Sequence, residues 1–151
     1  MPASTGVIFI EQGADWLDPM VCLTDTGTPV DLTGSTIVLE AKISITDTLP
    51  WLKMDTATPS GNGLMGGFVV GGSNGVITPN LPGTVTRGLD VSGILGVVGP
   101  VALPIDYVDA QGRTQTVVKT GYPLVCQIER KSGLTERIFD GTLLLSLEVA
   151  K

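Results

Sequence analysis

Near both ends of this chain, apolar and polar side chains alternate strictly, and that alternation limits the folds open to it. From Thr36 to Ile43, the residues Ile37, Leu39, Ala41 and Ile43 fall on one side, with Thr36, Val38, Glu40 and Lys42 on the other. Near the C-terminus, Leu143, Leu145, Leu147 and Val149 alternate with Thr142, Leu144, Ser146 and Glu148. Successive side chains of an extended strand point to opposite faces, so a period of two marks a strand with one face in a core. A surface helix needs apolar residues three or four apart, and this chain shows almost none of that spacing.

Shorter runs fit the same class. Val7 to Glu11 is β-branched and aromatic, closed by Gln12-Gly13; Trp16 to Leu23 is interrupted by Pro19, which predicts an edge strand or a bulge. Asp25 to Pro29 is turn chemistry. Tyr122 to Glu129 reads as a strand, and Leu134 to Asp140 as its hairpin partner across Ser132-Gly133, with Gly141 expected to break that second strand. Phe68-Val69-Val70 and Val76-Ile77 are brief strand candidates in a stretch from Pro59 rich in Gly and Ser. From Leu81 to Gly121 no period persists and Gly and Pro recur. A structureless loop of that length is unusual in a compact domain, so this region is expected to hold short strands or an arm ordered by a neighbouring subunit. The expectation is one domain over residues 1–151: an all-β sandwich with its strands mainly in 6–43 and 122–149, and loops, short strands or an arm over 59–121.

Composition narrows what such a domain does. Of the 151 residues, 42% are hydrophobic and 16% charged, against about 25% charged in ordinary globular domains. A mean hydropathy of +0.35 is high for so small a domain and predicts that part of its apolar surface is covered by other subunits. The longest apolar stretch, Ile94 to Val108, supplies the candidate interface Leu95, Val97, Val98, Val101, Leu103 and Ile105. With Gly96, Gly99, Pro100 and Pro104 it is too short and too broken for a membrane helix. Nine basic against fifteen acidic residues give a net charge of −6, the wrong sign for replacing phosphate counterions, so nucleic acid is not an expected partner. The start Met1-Pro2-Ala3-Ser4-Thr5 does not read as a signal peptide, which points to synthesis in a reducing cytoplasm. Cys22 and Cys126, both in strand-like runs, are read as buried thiols; a disulfide between them stays open.

Catalytic constellations are weak. There is no histidine, the commonest general base and metal ligand. Asp25-Thr26-Gly27 spells the aspartic-protease triplet, but it comes after polar Thr24 and fits a hairpin turn better. Gly61-Asn62-Gly63-Leu64-Met65-Gly66 fits a dinucleotide fingerprint, yet the next residues, Gly67 to Gly72, do not read as a helix. Asp15/Asp18 and Asp106/Asp109 read as solvated turn carboxylates rather than calcium ligands. No enzyme, cofactor or metal is expected.

Three stretches together resemble a family of tailed-phage virion proteins, similar to the N-terminal domain of the baseplate upper protein BppU. They are Phe9-Ile10-Glu11-Gln12-Gly13; the turn Asp25 to Val30 leading into Asp31-Leu32-Thr33-Gly34 and the strand Ile37 to Ala41; and the C-terminal run of Leu124 to Glu129, Ser132-Gly133, Arg137 to Gly141 and Leu143 to Val149. The resemblance covers Val7 to Ile43 and Tyr122 to Val149. Lys42 stands where many relatives carry Arg, and residues 83–121 exceed the family's equivalent connection.

The resemblance implies an immunoglobulin-like antiparallel β-sandwich with a long glycine-rich central loop or arm. Its role would be that of a structural subunit of the tail or baseplate, or a tail-fibre adaptor. Other virion proteins and further copies of the chain would be its partners, and the virion its location. A capsid decoration or head-fibre protein is the alternative, and a small dimeric aspartic protease a remote one. From the residues alone, Asp31-Leu32-Thr33-Gly34 is a structural turn: Asp31 or Thr33 caps backbone N–H groups, Gly34 takes positive φ, and Leu32 plugs the core.

Overall fold

The alternating run at 36–43 becomes a strand whose inner face is completely buried: Ile37, Leu39 and Ala41 are all at 0% exposure. The computed structural model describes residues 6–24, 26–44, 46–47, 51–56, 67–87, 94 and 99–147. Among them the strands are β1 (Val7–Glu11), β2 (Met20–Val21), β3 (Thr36–Lys42), β4 (Leu52–Asp55), β5 (Gly67–Val70), β6 (Val76–Asn80), β7 (Val101–Val108), β8 (Thr114–Lys131) and β9 (Thr135–Ser146). A short helix, α1 (Gly83–Arg87), comes after β6. The all-β class expected from the sequence is therefore the class observed.

The strands form one mixed sheet in the order β1-β9-β8-β3-β4-β5-β6-β2, with β7 added to β8. Most neighbours are antiparallel, but β1 lies parallel to β9 and β4 parallel to β5. Among the described residues the β4–β5 ladder is a single register pair, Asp55 with Gly67. Backbone pairing thus divides the sheet into a large group, β1-β9-β8-β3-β4, and a small one, β5-β6-β2, held together mainly by side chains. Rows of inward residues cross the large group: Ile8–Leu143–Leu124, and Leu52–Ala41–Cys126. They share one apolar cluster with Phe68, Ile77 and Leu81 from the small group. Each large side chain so buried contributes roughly 1.5–3 kcal/mol.

Chain connectivity closes the curl. β1 and β2 lie at opposite ends of the strand order yet are consecutive in sequence, so residues 12–19 must bridge the two groups. Trp16 is the keystone of that bridge. Its N–H donates to the Leu81 carbonyl (2.8 Å) and the Leu81 N–H donates back (3.2 Å). Its ring meets Phe68 edge-on, with centroids 6.5 Å apart. Beside it, buried Thr86 accepts from the Gly13 N–H (2.9 Å), and its hydroxyl lies within hydrogen-bond reach of the Ala14 and Gly83 carbonyls.

The corner at 31–34 is built from its own side chains. Asp31 Oδ1 accepts from the Thr33 N–H (3.0 Å), Gly34 has φ +74, and Leu32 is 1% exposed. The Thr33 hydrogen bonds hold the Asp31 carboxyl below its ordinary range.

One local expectation is corrected. Gly141 does not break the last strand; β9 runs straight through it. A Cβ there would collide with the Gly6 carbonyl and lie 2.8 Å from the Phe139 ring, so this glycine admits the start of β1 alongside β9. The interruption in β9 is instead a bulge at Ile138, between the pairs Ile128–Phe139 and Glu129–Arg137. The region from Leu81 to Gly121, which shows no period in sequence, contains α1, β7 and the first half of β8.

Gly141→Ala is expected to destabilise the fold by about 1–3 kcal/mol in urea unfolding. Gly99→Ala, with open space around the new methyl group, is expected to stay within about 0.5 kcal/mol.

Candidate interaction surface

β8 is eighteen residues long and changes partner along its length. Tyr122 to Lys131 pair with β9, and Val125 to Lys131 also with β3, whereas Thr114 to Gly121 pair with β7. Pro123 sits at the changeover, paired only with Leu144, so its missing N–H costs no ladder bond. The β7–β8 hairpin is therefore an arm growing out of a core strand. Its tip is fastened by Asp109, which accepts from the N–H groups of Gln111 (3.0 Å) and Arg113 (2.9 Å) and from the Arg113 and Gln115 side chains (3.1 Å each). These bonds, the Arg113 N–H first, lower the Asp109 carboxyl from its ordinary range.

The arm has two unlike faces. Ala102, Pro104, Asp106, Thr114, Thr116, Val118 and Thr120 are exposed, and Leu103, Ile105, Gln115, Val117 and Lys119 are half-covered. The half-covered face looks toward β1: the Lys119 ammonium lies 5.6 Å from the centre of the Phe9 ring. Leu144, expected on the polar side of β9, is fully buried. It pairs with Phe9 and Pro123 and is touched by the arm's root at Gly121.

Between arm and body runs a groove of about 590 Å³. Its floor is β1 (Val7, Ile8, Phe9, Glu11); one wall is Trp16, Asp18, Pro19 and Met20, the other Ile105, Val117 and Lys119. This is within the usual volume of a binding cleft, roughly 300–1,000 Å³. A second apolar surface lies on the small group. Val21 pairs with Val76, and Val69 with Thr78, so these four share one outer face, with Val21 57% and Val69 55% exposed.

Of the interface residues read from sequence, Val101, Leu103 and Ile105 lie on β7, while Leu95, Val97 and Val98 fall outside the described residues, as do Asp25 and Gly61 to Gly66. Three of the four carboxylates in the two acidic pairs are engaged by the chain itself: Asp15 accepts from the Gly83 N–H (2.5 Å), Asp106 from the Thr116 hydroxyl (2.7 Å), and Asp109 fastens the arm's tip. Among the described residues no group of three or more Cys, Asp or Glu is arranged to hold a metal ion. Cys22 and Cys126 are both free. Cys22 lines a hollow with Ile128 and Ile138, while Cys126 sits two residues further back on β8. Burial raises both thiols, Cys126 to about 12. The groove itself is not visible in the sequence, because it depends on which strand edge the topology leaves unpaired.

No protein-family model matches the chain, and no curated protein or solved structure is similar enough to count as a relative.

A thiol raised in the folded state favours folding fully below its unfolded pKa of about 8.5, and that contribution fades as pH climbs toward about 12. At pH 8, iodoacetamide is expected to modify half-exposed Cys22 slowly and leave Cys126 intact until urea unfolds the protein, as measured by peptide mass spectrometry.

Proposed function

We propose that this chain is a structural subunit of a bacteriophage particle, mounted in the tail or baseplate or serving as a tail-fibre adaptor, and that it acts by binding neighbouring subunits. The observation that carries this reading is the arm. Eight cross-strand pairs extend beyond the ladder that the core requires, and a two-stranded ribbon is marginal in water by itself. An arm half-covered by β1 gains the rest of its cover from another protein. The exposed Val21 and Val69 face supplies a second contact on the other strand group, as a bridging subunit needs.

The immunoglobulin-like part of the proposal is supported by strand order. The run β9-β8-β3-β4 matches the G-F-C-C′ order of a variable-type sheet, and β2-β6-β5 matches B-E-D. On this reading the long E–F connection is what has grown into helix α1 and strand β7. Of the motifs resembling virion proteins, Ile37 to Ala41, Leu124 to Glu129 and Arg137 to Gly141 lie on β3, β8 and β9, and Phe9 to Glu11 lies on β1 beside β9. Further copies of the chain, in a ring around the particle axis, are its expected neighbours beside other tail or fibre proteins. The virion is its site of action and the host cytoplasm its site of synthesis.

Replacing residues 102–120 by a two-residue Asn-Gly turn joins Val101 to Gly121 and leaves the core strands intact. The shortened protein is expected to fold with little loss of stability and to be absent from assembled tails. Mass spectrometry of separated heads and tails, with the intact protein as control, is the measurement. Intact protein confined to heads, or normal incorporation of the armless form, overturns the proposal.

A further inference from the structure

We infer that the groove beside β1 receives an extended strand from another polypeptide, added to the free edge of β1, with apolar side chains on its groove face and a basic residue near Glu11 and Asp18. This deepens the assembly reading, on which it rests for the origin of the strand; the capacity to accept one stands on β1 alone.

The backbone defines the site. The Gly6 carbonyl accepts from the Thr142 N–H (3.1 Å), and the Gln12 N–H donates to the Ser146 carbonyl (2.8 Å). Alternate residues of a parallel strand address the same neighbour. Residues 6, 8, 10 and 12 therefore serve β9, and the N–H and C=O groups of Val7, Phe9 and Glu11 point away from it. The Glu11 carbonyl is taken by the Ala14 N–H (3.1 Å). Among the described residues the rest of that edge has no backbone partner.

Natural edge strands are usually kept short, interrupted by proline or covered. β2 has two residues, and β7 carries Pro104 in its middle. β1 has five residues, no proline and no lysine, and its open side is the floor of the groove. Adding a strand to such an edge is an established mode of recognition: backbone bonds give affinity and alternate side chains give specificity.

Charge selects the occupant. Glu11 and Asp18 are exposed at one end of the groove, and Asp15 joins them around the adjoining hollow. The one groove cation among the described residues, Lys119, is drawn over the Phe9 ring. An entering strand with a Lys or Arg at that end supplies the missing charge. A second copy fits poorly. Its free β7 edge brings Pro104, Asp106 and no cation, and walls on both sides keep two β1 edges from meeting.

The test uses the full ¹⁵N-labelled chain and two peptides, Lys-Val-Thr-Val-Thr-Val and its Glu-first twin. In the free protein the Val7 and Phe9 amides should exchange fast, and Ile8 and Ile10 slowly. Saturating lysine peptide should slow Phe9 exchange tenfold or more. It should also bind about tenfold tighter than its twin at low salt, a preference reversed by the double variant Glu11→Lys/Asp18→Lys.

Slow Phe9 exchange in the free protein at every concentration would mean that the edge is already covered, and would overturn the inference. Equal binding of the two peptides, or binding without Phe9 protection, would do the same. Phe9 exchange that speeds up when the protein alone is diluted would instead identify a second copy as the occupant, against the inference. Peptide binding by a chain that never enters tails would leave the strand site standing and remove only the assembly reading.

Discussion

The structure hangs on the two-sided pairing of β8 between Val125 and Lys131. That segment is bonded to β3 on one side and β9 on the other, and it presents Cys126 and Ile128 to the core at 0% and 2% exposure. Everything else is placed by reference to it. β9 carries β1 as a parallel neighbour, β3 carries β4, and the small group docks on the resulting apolar face through Phe68, Ile77 and Leu81. Because, among the described residues, the ladder joins the small group to the large one at one pair, its attachment depends on side-chain packing and on the Trp16–Leu81 clasp. A polar change in the Trp16–Phe68 contact strikes that attachment directly, whereas the same change on the arm's threonine face leaves it untouched.

The parts of this arrangement that can be read from sequence are those decided by neighbours along the chain. The alternation at Ile37, Leu39 and Ala41, the run from Val7 to Glu11, and the Asp31 to Gly34 corner are local patterns, and their geometry comes from residue chemistry. The arm is hidden because its signal is not hydrophobic. Thr114, Thr116 and Thr120 do recur at a period of two on the exposed face, but the opposite face mixes Gln115 and Lys119 with Val117, so no apolar stripe forms. Gly141 looks like a strand breaker because the reason for a glycine there is Gly6, which approaches from the far end of the chain. Leu144 falls on the polar side by strict alternation, since nothing nearby in sequence reveals that the root of an arm covers it.

The candidate surface has the same origin. An edge strand is a property of topology: β1 would be an interior strand if any other segment paired with Val7 and Phe9. The residues that make the groove come from four separate places, β1, the 16–20 segment, β7 and β8, and none is unusual where it stands. Of the interface residues picked out by hydropathy, those within the described structure, Val101, Leu103 and Ile105, lie on the arm, and Ile105 also lines the groove. Hydropathy picks out a segment but does not indicate what it faces.

Stability and exposure pull against each other in this chain. An eighteen-residue strand that is half core and half arm joins the arm to the body with no linker between them. The arm's exposed face mixes threonines and the Asp106–Thr116 bond with exposed Val118. Its half-covered face and the β1 edge lie together in a recess, where a flat sheet edge of another molecule cannot reach them but a single extended segment can. Recessing the reactive edge, rather than blunting it with proline as in β7, keeps it available to a strand while withholding it from indiscriminate edge-to-edge association.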